Sequence, residues 1–311
     1  MKPTAPRVTV IIPAYRAQRT LPRVIAALAR QIDPARHEVL VVESGGPGGS
    51  LAAGQRLGAE RPWLSLIGLD DRAYPGRARN AGAAVARGDL LVFLDADAVP
   101  GPGWLEALER ALTPDRAAVA GAILNGTPAS RWGTAEYWLE FAEWRPGRTG
   151  PIEHAASCNL LVRRSAFEAS GGFPCDLRAG EDTVLTRGFA LRGELAFAPD
   201  ACVRHLNRTS PREVLRNQRL LGVAWPEVCR RVDMPGGALA TPRRLPLALA
   251  GRAWAILKQT REPPLRVRAT LAHAPELLLG LLAWASGIAS GSARDPDKLP
   301  ERLGAPRRDD R

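Results

Sequence analysis

The chain has 311 residues, of which 45% are hydrophobic and 5% aromatic, so it can bury the core of one large or two smaller domains. Its formal net charge is +11, and residues 240–311 hold thirteen Lys and Arg residues against seven Asp and Glu residues. This excess of basic residues favours either an anionic partner or a surface that is simply solvated. The basic residues do not alternate with aromatic residues as they do in a nucleic-acid-binding module, so nucleic-acid binding is excluded.

Strand and helix patterns alternate over the first hundred residues. Four short, continuously apolar runs predict strands over 8–12, 38–42, 63–67 and 90–94. Apolar residues at helical spacing predict helices over 20–30, with Thr20 as N-cap, and over 76–87. Strands of this kind, separated by helices, are typical of a parallel sheet that is buried on both faces. We therefore predict an α/β fold with a mostly parallel sheet and helices on both faces.

The alternation loosens after about residue 115. Apolar runs predict four further strands over 117–124, 159–163, 195–198 and 201–205. A helix is predicted over Glu181–Leu191, and the Trp-, Glu- and Arg-rich residues 128–150 are predicted to form a connection. The strand and helix pattern therefore ends near residue 211, which we take as the boundary of a main domain, 1–211.

Residues 212–292 favour helices rich in Arg, Leu and Ala, broken by several prolines. Residues 277–293 carry no charge, but seventeen helical residues rise only about 25 Å, at or below the length that a bilayer requires. We predict a helix in the membrane interface, anchored by Trp254 and Trp284, while a buried core helix and a full span stay open. The polar tail, 293–311, is predicted to be disordered.

Cysteine spacing and the N-terminal sequence bear on the compartment. The four cysteines are widely spaced and form neither a C-x-x-C pair nor a zinc-type framework, which fits reduced thiols. The N-terminal sequence MKPTAPRVTVIIPAY has no long apolar segment of the kind that a secretory signal contains. We therefore expect a cytoplasmic protein that is peripheral at the inner face of the cell membrane.

The strongest chemical signal is Asp95-Ala96-Asp97, which follows the apolar run 90–94. Because side chains alternate along an extended chain, carboxylates at positions i and i+2 point to one side. We expect them at the carboxyl edge of the sheet, where open α/β folds bind ligands. Two carboxylates there suit a hard divalent cation such as Mg²⁺ or Mn²⁺, with positions left for phosphate oxygens. The D-x-D pattern alone is common by chance. Its position at the end of a predicted strand is what supports a metal site here.

Two further features admit both a structural and a functional interpretation. Glu181-Asp182 opens a helix, where acidic residues interact favourably with the helix dipole whatever their function. In the functional interpretation, Asp182 is a general base that takes the proton from an attacking hydroxyl. His205 is either a structural residue or a metal ligand through its neutral imidazole. These residues alone leave the alternatives open.

Four stretches follow one another in order: VTVIIPAYRAQRTLPRVIAAL, EVLVVESGG, GRARNAGAAVARGDLLVFLDADAVP, and CNLLVRRSAFEASGGF with AGEDTVLTRGFALRG. Together they resemble the family 2 glycosyltransferases of the GT-A fold over about residues 7–210. The resemblance implies that the domain 1–211 is an inverting transferase, which moves a sugar from a nucleoside-diphosphate sugar to a hydroxyl acceptor. It also implies a divalent cation, Mn²⁺ or Mg²⁺, as cofactor.

The resemblance assigns roles to ten residues. Nucleotide-sugar binding falls to Pro13, Ala14, Tyr15, Glu43, Arg79, Asn80 and Asp95. Metal binding falls to Asp95, Asp97 and His205, and Asp182 matches the catalytic base. Glu43 stands where the family usually carries Asp, and its longer side chain can still accept a hydrogen bond from a base or ribose. The region where an acceptor would lie contains four aromatic residues: Trp132, Tyr137, Trp138 and Trp144.

Departures from known patterns narrow the function. The Gln-x-x-Arg-Trp sequence of processive members is missing, and the nearest stretch begins at Asn217, which favours single-sugar transfer to a glycan or lipid-linked acceptor. The Gly-rich run 44–50 lacks the ending of a P-loop, and the first strand meets Pro13 without the glycines of a dinucleotide site. No Gly-rich, basic loop of a sugar nucleotidyltransferase follows that strand. The remaining alternative is a catalytically silent module that binds a membrane surface.

Overall fold

The computed structural model of the chain describes residues 6–45, 61–70, 72–259 and 271–291. The predicted disordered tail, 293–311, and most of the Gly-rich run 44–50 lie outside these residues. One eight-stranded sheet runs through the described part. In chain order, its strands are β1 (Val8–Ala14), β2 (His37–Ser44), β3 (Leu64–Leu69), β4 (Leu90–Leu94), β5 (Ala98–Pro100), β6 (Ala118–Asn125), β7 (Asn159–Arg163) and β8 (Leu195–His205).

The spatial order of the strands is β3-β2-β1-β4-β7-β6-β8-β5, and four of the seven pairings are parallel. The parallel half consists of β3, β2, β1 and β4, and every residue of β2 and β4 is buried. Burial on both faces explains why these strands read as continuous apolar runs, and it confirms the predicted α/β fold. The other half is mixed, because β7 runs antiparallel to both of its neighbours and β5 runs antiparallel to β8.

Nine α-helices lie within the described ranges. They are α1 (Leu21–Leu28), α2 (Pro75–Val85), α3 (Trp104–Ala111), α4 (Arg131–Glu140), α5 (Arg164–Ala169), α6 (Glu181–Leu191), α7 (Pro211–Arg231), α8 (Leu245–Gln259) and α9 (Ala274–Gly291). Helix α1 begins after Thr20 as predicted, but the Thr20 side chain makes no cap hydrogen bond. Its hydroxyl instead donates to the carbonyl oxygen of Ala17 at 3.4 Å.

Three elements differ from the sequence predictions. Residues 128–150 contain α4 and a turn of 3₁₀ helix, Ala142–Trp144, rather than only a connection. The sequence did not predict α4 because a charged residue, Glu136, occupies one of its buried positions and interrupts the apolar spacing. Residues 195–205 form one strand rather than two, with an irregularity where its partner β6 passes from Gly121 to Ala122. Strand β5 has three residues, too few to produce a pattern.

Helix α2 lies close against the parallel half of the sheet. A Cβ atom built on Gly82 would lie 2.5 Å from the Cγ2 atom of Ile11 and 3.0 Å from that of Val42, so glycine permits this approach. The helix begins at Pro75, whose fixed φ suits a first turn. Arg79, one turn into α2, is buried as a result.

The C-terminal helices pack against the sheet domain and against one another. A Cβ atom built on Gly222 of α7 would lie 1.9 Å from the carbonyl oxygen of Trp284 in α9, so the two backbones touch. Of the helices described, only α9 is long and apolar enough to cross a bilayer, and 44% of it is buried in the protein. The prediction that Trp284 anchors a membrane is wrong, because its buried ring packs 4.5 Å from the Arg252 guanidinium. Trp254 is 52% exposed.

A buried ion pair connects α4 to the segment after β8. Glu136 is fully buried and accepts hydrogen bonds from the backbone N–H of Arg208 and from its Nη1 atom, the latter at 2.7 Å. Burial raises the pKa of Glu136 to about 7, and the nearby charge of Glu140 acts in the same direction. The Glu136 carboxyl group therefore titrates near neutral pH.

We expect Glu136 to lower stability as the pH rises from about 5 to about 7.5. In this window the folded chain still holds the Glu136 proton, whereas the unfolded chain has lost it near its ordinary pKa of 4.5. Because the folded state binds more protons, rising pH favours unfolding. Relative to Glu136→Gln, the wild-type free energy of unfolding should fall by about 2 kcal/mol, measured by urea unfolding across the window. Parallel pH profiles for the two proteins would contradict this.

Candidate functional site

The carboxyl ends of three parallel strands meet at one edge of the sheet. Strand β1 ends at Ala14, which pairs with Glu43 of β2, and β4 ends one residue before Asp95. Glu43 is buried, whereas Tyr15, which follows β1, is exposed. The residues predicted to hold a nucleoside, with Pro13 one position before Ala14, therefore lie side by side.

Two arginine side chains lie near the aromatic ring of Tyr15 at this edge. The guanidinium carbons of Arg16 and Arg72 lie 5.3 Å and 4.7 Å from the centre of the Tyr15 ring, within cation–π range. Gly45 has a φ of 142°, and a Cβ atom there would lie 3.0 Å from the ring. The edge thus combines a ring, two cations and the buried carboxyl group of Glu43, a set that can bind a base, a ribose and an anion.

Asp97 and His205 come together where β5 pairs with β8. The Nε2 atom of His205 lies 3.4 Å from the Oδ1 atom of Asp97. The other ring nitrogen, Nδ1, lies 2.9 Å from the Oδ1 atom of Asn207, whose amide nitrogen donates to Asn125 at 3.0 Å. If Asn207 Oδ1 accepts the Nδ1 proton, the neutral imidazole directs its Nε2 lone pair at the carboxylate. A lone pair opposite an anion suits a cation between them.

Asp95 and Glu181 are joined by the buried guanidinium group of Arg79. Its Nη2 atom donates to Asp95 at 2.6 Å, and its Nη1 atom donates to Glu181 at 2.7 Å. Burial lowers the pKa of Arg79, but the charges of Asp95, Glu181 and Asp182 outweigh that effect and raise it above its ordinary value. Burial, together with the charge of Asp182, raises the pKa of Glu181 to about 7, although Arg79 acts in the opposite direction. Arg79 therefore holds the two acidic motifs together.

Asn80 points to a loop rather than to the strand ends. Its Nδ2 atom donates to the carbonyl oxygen of Phe173 at 2.8 Å, and its Oδ1 atom accepts from the Phe173 N–H at 3.0 Å. The Phe173 ring packs edge-on against Phe93 at 4.9 Å. Asn80 thus fixes this loop against the core, and its role in binding a nucleotide sugar stays a prediction.

Asp182 lies at the start of α6 and is held by neighbouring polar groups. Its Oδ2 atom accepts from the Ser157 backbone N–H at 3.1 Å and from the Ser157 hydroxyl at 3.3 Å. Its Oδ1 atom accepts from the Thr183 N–H at 2.7 Å. Asp182 is partly exposed, so its carboxylate is both oriented and accessible. Sequence reasoning did not identify Ser157.

Cys158 lies between the acidic motifs. Antiparallel pairing of Leu94 with Asn159 brings Cys158 beside Asp95, and ligand atoms of Asp95, Cys158 and His205 lie within 4.8 Å of one another. Burial and the charges of Asp95, Asp97 and Asp182 raise the pKa of the Cys158 thiol well above its ordinary value, so it stays protonated. The three carboxylates thus share one electrostatic environment. Carboxylate oxygens and an imidazole nitrogen suit Mn²⁺ or Mg²⁺, whereas a neutral thiol does not.

Arg208 adds a cation at the same edge. Burial lowers its pKa, but the charges of Glu136, Glu140 and Asp97 outweigh that effect and raise it above its ordinary value. Part of the side chain is exposed while Glu136 fixes its Nη1 atom. Arg208 is therefore placed to attract an anion beside Asp97. It follows β8 without any sequence pattern that distinguishes it from the many other arginines of the chain.

Comparison with known proteins gives a consistent result for sequence and fold. The family model "Glycosyl transferase family 2" matches residues 9–171. The glycosyltransferase AglE of Haloferax volcanii is 28% identical over 225 residues, which cover 71% of this chain and 74% of that protein. The pre-mycofactocin glycosyltransferase of Mycobacterium tuberculosis is 27% identical over 251 residues, 75% of this chain but 51% of that protein.

Among solved structures, the fold matches a mannosyltransferase from Pyrobaculum calidifontis, which was solved in complex with GDP-Man and Mn²⁺. The TM-score is 0.63 at 22% sequence identity, and the match covers 91% of this chain and 86% of that chain. The predicted GT-A fold is therefore confirmed.

Proposed function

Because the chain belongs to glycosyl transferase family 2, we propose that it transfers a single sugar, with inversion, from a nucleoside-diphosphate sugar to a hydroxyl acceptor. The observation that supports this most is that Arg79 joins Asp95 to Glu181, the neighbour of Asp182, while His205 lies 3.4 Å from Asp97. Two acidic motifs about 85 residues apart in sequence thus meet at the strand ends where ligands of open α/β folds bind.

The donor would bind along the carboxyl ends of β1, β2 and β4. Glu43 is placed to accept hydrogen bonds from the base or ribose, and the ring of Tyr15 offers a stacking face. Pro13 and Ala14 shape the same edge. Arg79 acts in this proposal through Asp95, which it orients, rather than as a free donor to phosphate. Arg208 would attract the diphosphate beside Asp97.

Asp95, Asp97 and His205 would hold the divalent cation, Mn²⁺ or Mg²⁺. When bound, the cation supplies positive charge that neutralises the leaving nucleoside diphosphate. The mannosyltransferase described above was solved with Mn²⁺ and GDP-Man, which agrees with this choice of ion and ligand. Asn207 keeps the Nε2 lone pair of His205 directed at the site.

Asp182 would act as the general base. Ser157 and Thr183 orient its carboxylate, which takes the proton of the acceptor hydroxyl as the oxygen forms a bond to the anomeric carbon. The bond from that carbon to the diphosphate oxygen breaks, and its electron pair leaves with the diphosphate. Attack from the face opposite the leaving group inverts the anomeric configuration.

Mn²⁺-dependent nucleotide binding tests the proposal. We expect wild type to bind UDP or GDP in calorimetric titrations with Mn²⁺ and to lose most of that affinity without it. His205→Ala should weaken Mn²⁺ binding by about 10- to 100-fold, because a ligand directed by Asn207 is lost. His37→Ala is the matched control, since His37 lies at the start of β2 beside Glu109. Equal Mn²⁺ affinity in His205→Ala and wild type would refute this metal site.

The C-terminal helices are proposed to hold the protein at the cytoplasmic face of a membrane. An exposed leucine face on α9 consists of Leu278, Leu279 and Leu282, whose exposed fractions are 57%, 46% and 49%. Leu282 lies four residues after Leu278 and three after Leu279, spacings that make side chains neighbours on a helix surface. Anionic lipids would complement the basic excess of residues 240–311.

Vesicle binding should depend on the exposed leucine face. We expect Leu278→Lys/Leu282→Lys to reduce cosedimentation with vesicles of phosphatidylcholine and phosphatidylglycerol by at least about tenfold, since two buried leucines contribute a few kcal/mol. Leu191→Lys changes a leucine that is 58% exposed at the end of α6 and should bind like wild type. Unchanged binding of the double variant would remove this face from the membrane proposal.

A further inference from the structure

An open cavity of about 560 Å³ lies between the sheet domain and the C-terminal helices. Asp182 and Thr183 form part of its wall, and other wall residues come from α4, the 3₁₀ turn after it, residues 153–156, α7, residues 234–239, α8 and α9. The cavity is therefore continuous with the carboxylate to which we assign the role of base. Whatever occupies it places its atoms next to Asp182.

Apolar side chains form most of the cavity wall. Four of the eight tryptophans of the chain line it: Trp138, Trp144, Trp225 and Trp284. Leu221, Val228 and Ile256 add aliphatic surface. A glycan carries hydroxyl groups on all its edges, and each costs free energy when it is desolvated without a hydrogen-bond partner. A hydrocarbon chain or ring system needs no such partners and fits this wall.

Several polar groups of the wall are hydrogen-bonded within the protein. Glu140 accepts hydrogen bonds from Asn217 at 2.7 Å and from Gln218 at 2.6 Å. The Nη2 atom of Arg252 donates to Gln218 at 2.9 Å and to Leu139 at 3.1 Å. Burial lowers the pKa of Arg252 to about 10, which leaves it charged at neutral pH. Its Nη1 atom has no hydrogen-bond partner among the described residues, and the same holds for the Nδ1 atom of His154 and the Oε1 atom of Gln259 in this wall.

We propose that this cavity binds the hydrocarbon part of an amphiphilic acceptor whose hydroxyl group lies at Asp182. The proposal rests on the proposed function, because the transferase role of Asp182 is what makes a hydroxyl group the reacting end of the ligand. A single polar group of the acceptor would accept a hydrogen bond from Arg252. The acceptor is thus an alcohol with an apolar body rather than a soluble glycan.

Tryptophan fluorescence offers a direct test, since four indole rings line the cavity. The probe is decyl β-D-glucoside, titrated below its micelle concentration, and methyl β-D-glucoside is the control with the same hydroxyl groups and no chain. We expect a saturable change in emission with the decyl compound and none with the methyl compound. Equal responses, or no saturable response to the decyl compound, would overturn the proposal.

Two variants on α8 separate the cavity from the outer surface. A Cβ atom built on Gly251 meets no heavy atom within 4 Å, so Gly251→Phe places a ring in open space at the cavity wall. Leu247→Phe places the same ring at a position that is 60% exposed and outside the wall. We expect at least a tenfold loss of decyl glucoside affinity in Gly251→Phe only. Retained affinity in Gly251→Phe would assign the binding to an outer apolar face and overturn the proposal.

The proposed function is measured separately, as release of nucleoside diphosphate from a donor without any acceptor. Metal-dependent release without saturable decyl glucoside binding would overturn the cavity proposal and leave the transferase in place. The opposite outcome is also possible: Gly251→Phe abolishes decyl glucoside binding, but no donor releases nucleoside diphosphate. That outcome would leave an apolar binding site but remove Asp182 as the base.

Discussion

Asp182→Asn is expected to lower turnover by about 10²- to 10⁴-fold, the contribution that a positioned general base usually makes. Asparagine is nearly isosteric, and its amide oxygen can still accept both hydrogen bonds from Ser157, although its amide nitrogen cannot accept the one from the Thr183 N–H. The amide cannot take a proton from the attacking hydroxyl at neutral pH. The measurement is release of nucleoside diphosphate from the donor, with water in place of the acceptor, alongside the Kd of the donor.

A loss of turnover without a loss of donor affinity would identify Asp182 as the base. Donor affinity should stay within about threefold of wild type, because Asp182 acts on the acceptor side of the proposed reaction. Asp115→Asn is the control, since Asp115 lies on the surface beside Arg116 and Thr113. If Asp182→Asn keeps more than a tenth of the wild-type rate, Asp182 is not the base.

Arg79→Met is expected to lower the free energy of unfolding by about 3–5 kcal/mol, as measured by urea unfolding at pH 7.5. Methionine fills much of the same space but leaves Asp95 and Glu181 without the guanidinium that neutralises both. Glu181 is nearly fully buried, so its charge then has no compensation. Lowering the pH should reduce the loss, because the Glu181 carboxyl group takes up a proton.

A second substitution identifies the cause of that loss. Arg79→Met/Glu181→Gln should recover at least about 1 kcal/mol relative to Arg79→Met, since the uncompensated charge is removed. Arg164→Met removes an arginine that bonds backbone carbonyl groups around Gly88 rather than two carboxylates, and no such recovery applies to it. A loss below about 1 kcal/mol in Arg79→Met, or no recovery in the double variant, would show that the two motifs do not depend on this ion pair.

Local patterns predicted the parallel half of the sheet because its strands are buried on both faces. Val8–Ala14 and Leu90–Leu94 are almost wholly apolar, and the described chain between them forms the helices α1 and α2 and the strands β2 and β3. The place of Asp95 and Asp97 follows from the same rule, since ligand sites of such sheets lie where the strands end. That part of the site depends on a few neighbouring residues and could be predicted.

Contacts between distant segments could not be predicted in this way. Ser157 and Cys158 reach the acidic motifs because β7 inserts antiparallel between β4 and β6, which no local pattern indicates. Arg79 bonds Glu181 across 102 residues of sequence, so its role as the link between two motifs was not foreseen. Arg208 was missed because its position depends on Glu136, a charged residue buried on a helix that apolar spacing did not reveal.

The central claim is that Asp95, Asp97 and His205 form the metal-dependent donor site of a glycosyltransferase. Release of nucleoside diphosphate tests it most directly, using a panel of UDP-, GDP- and dTDP-sugars with Mn²⁺ or Mg²⁺ and comparing wild type with Asp97→Ala. The predicted result is release from one class of donor that requires the cation and disappears in Asp97→Ala. Two results would contradict the claim. Asp97→Ala could release as much nucleoside diphosphate as wild type, or wild type could show neither release nor cation-dependent donor binding.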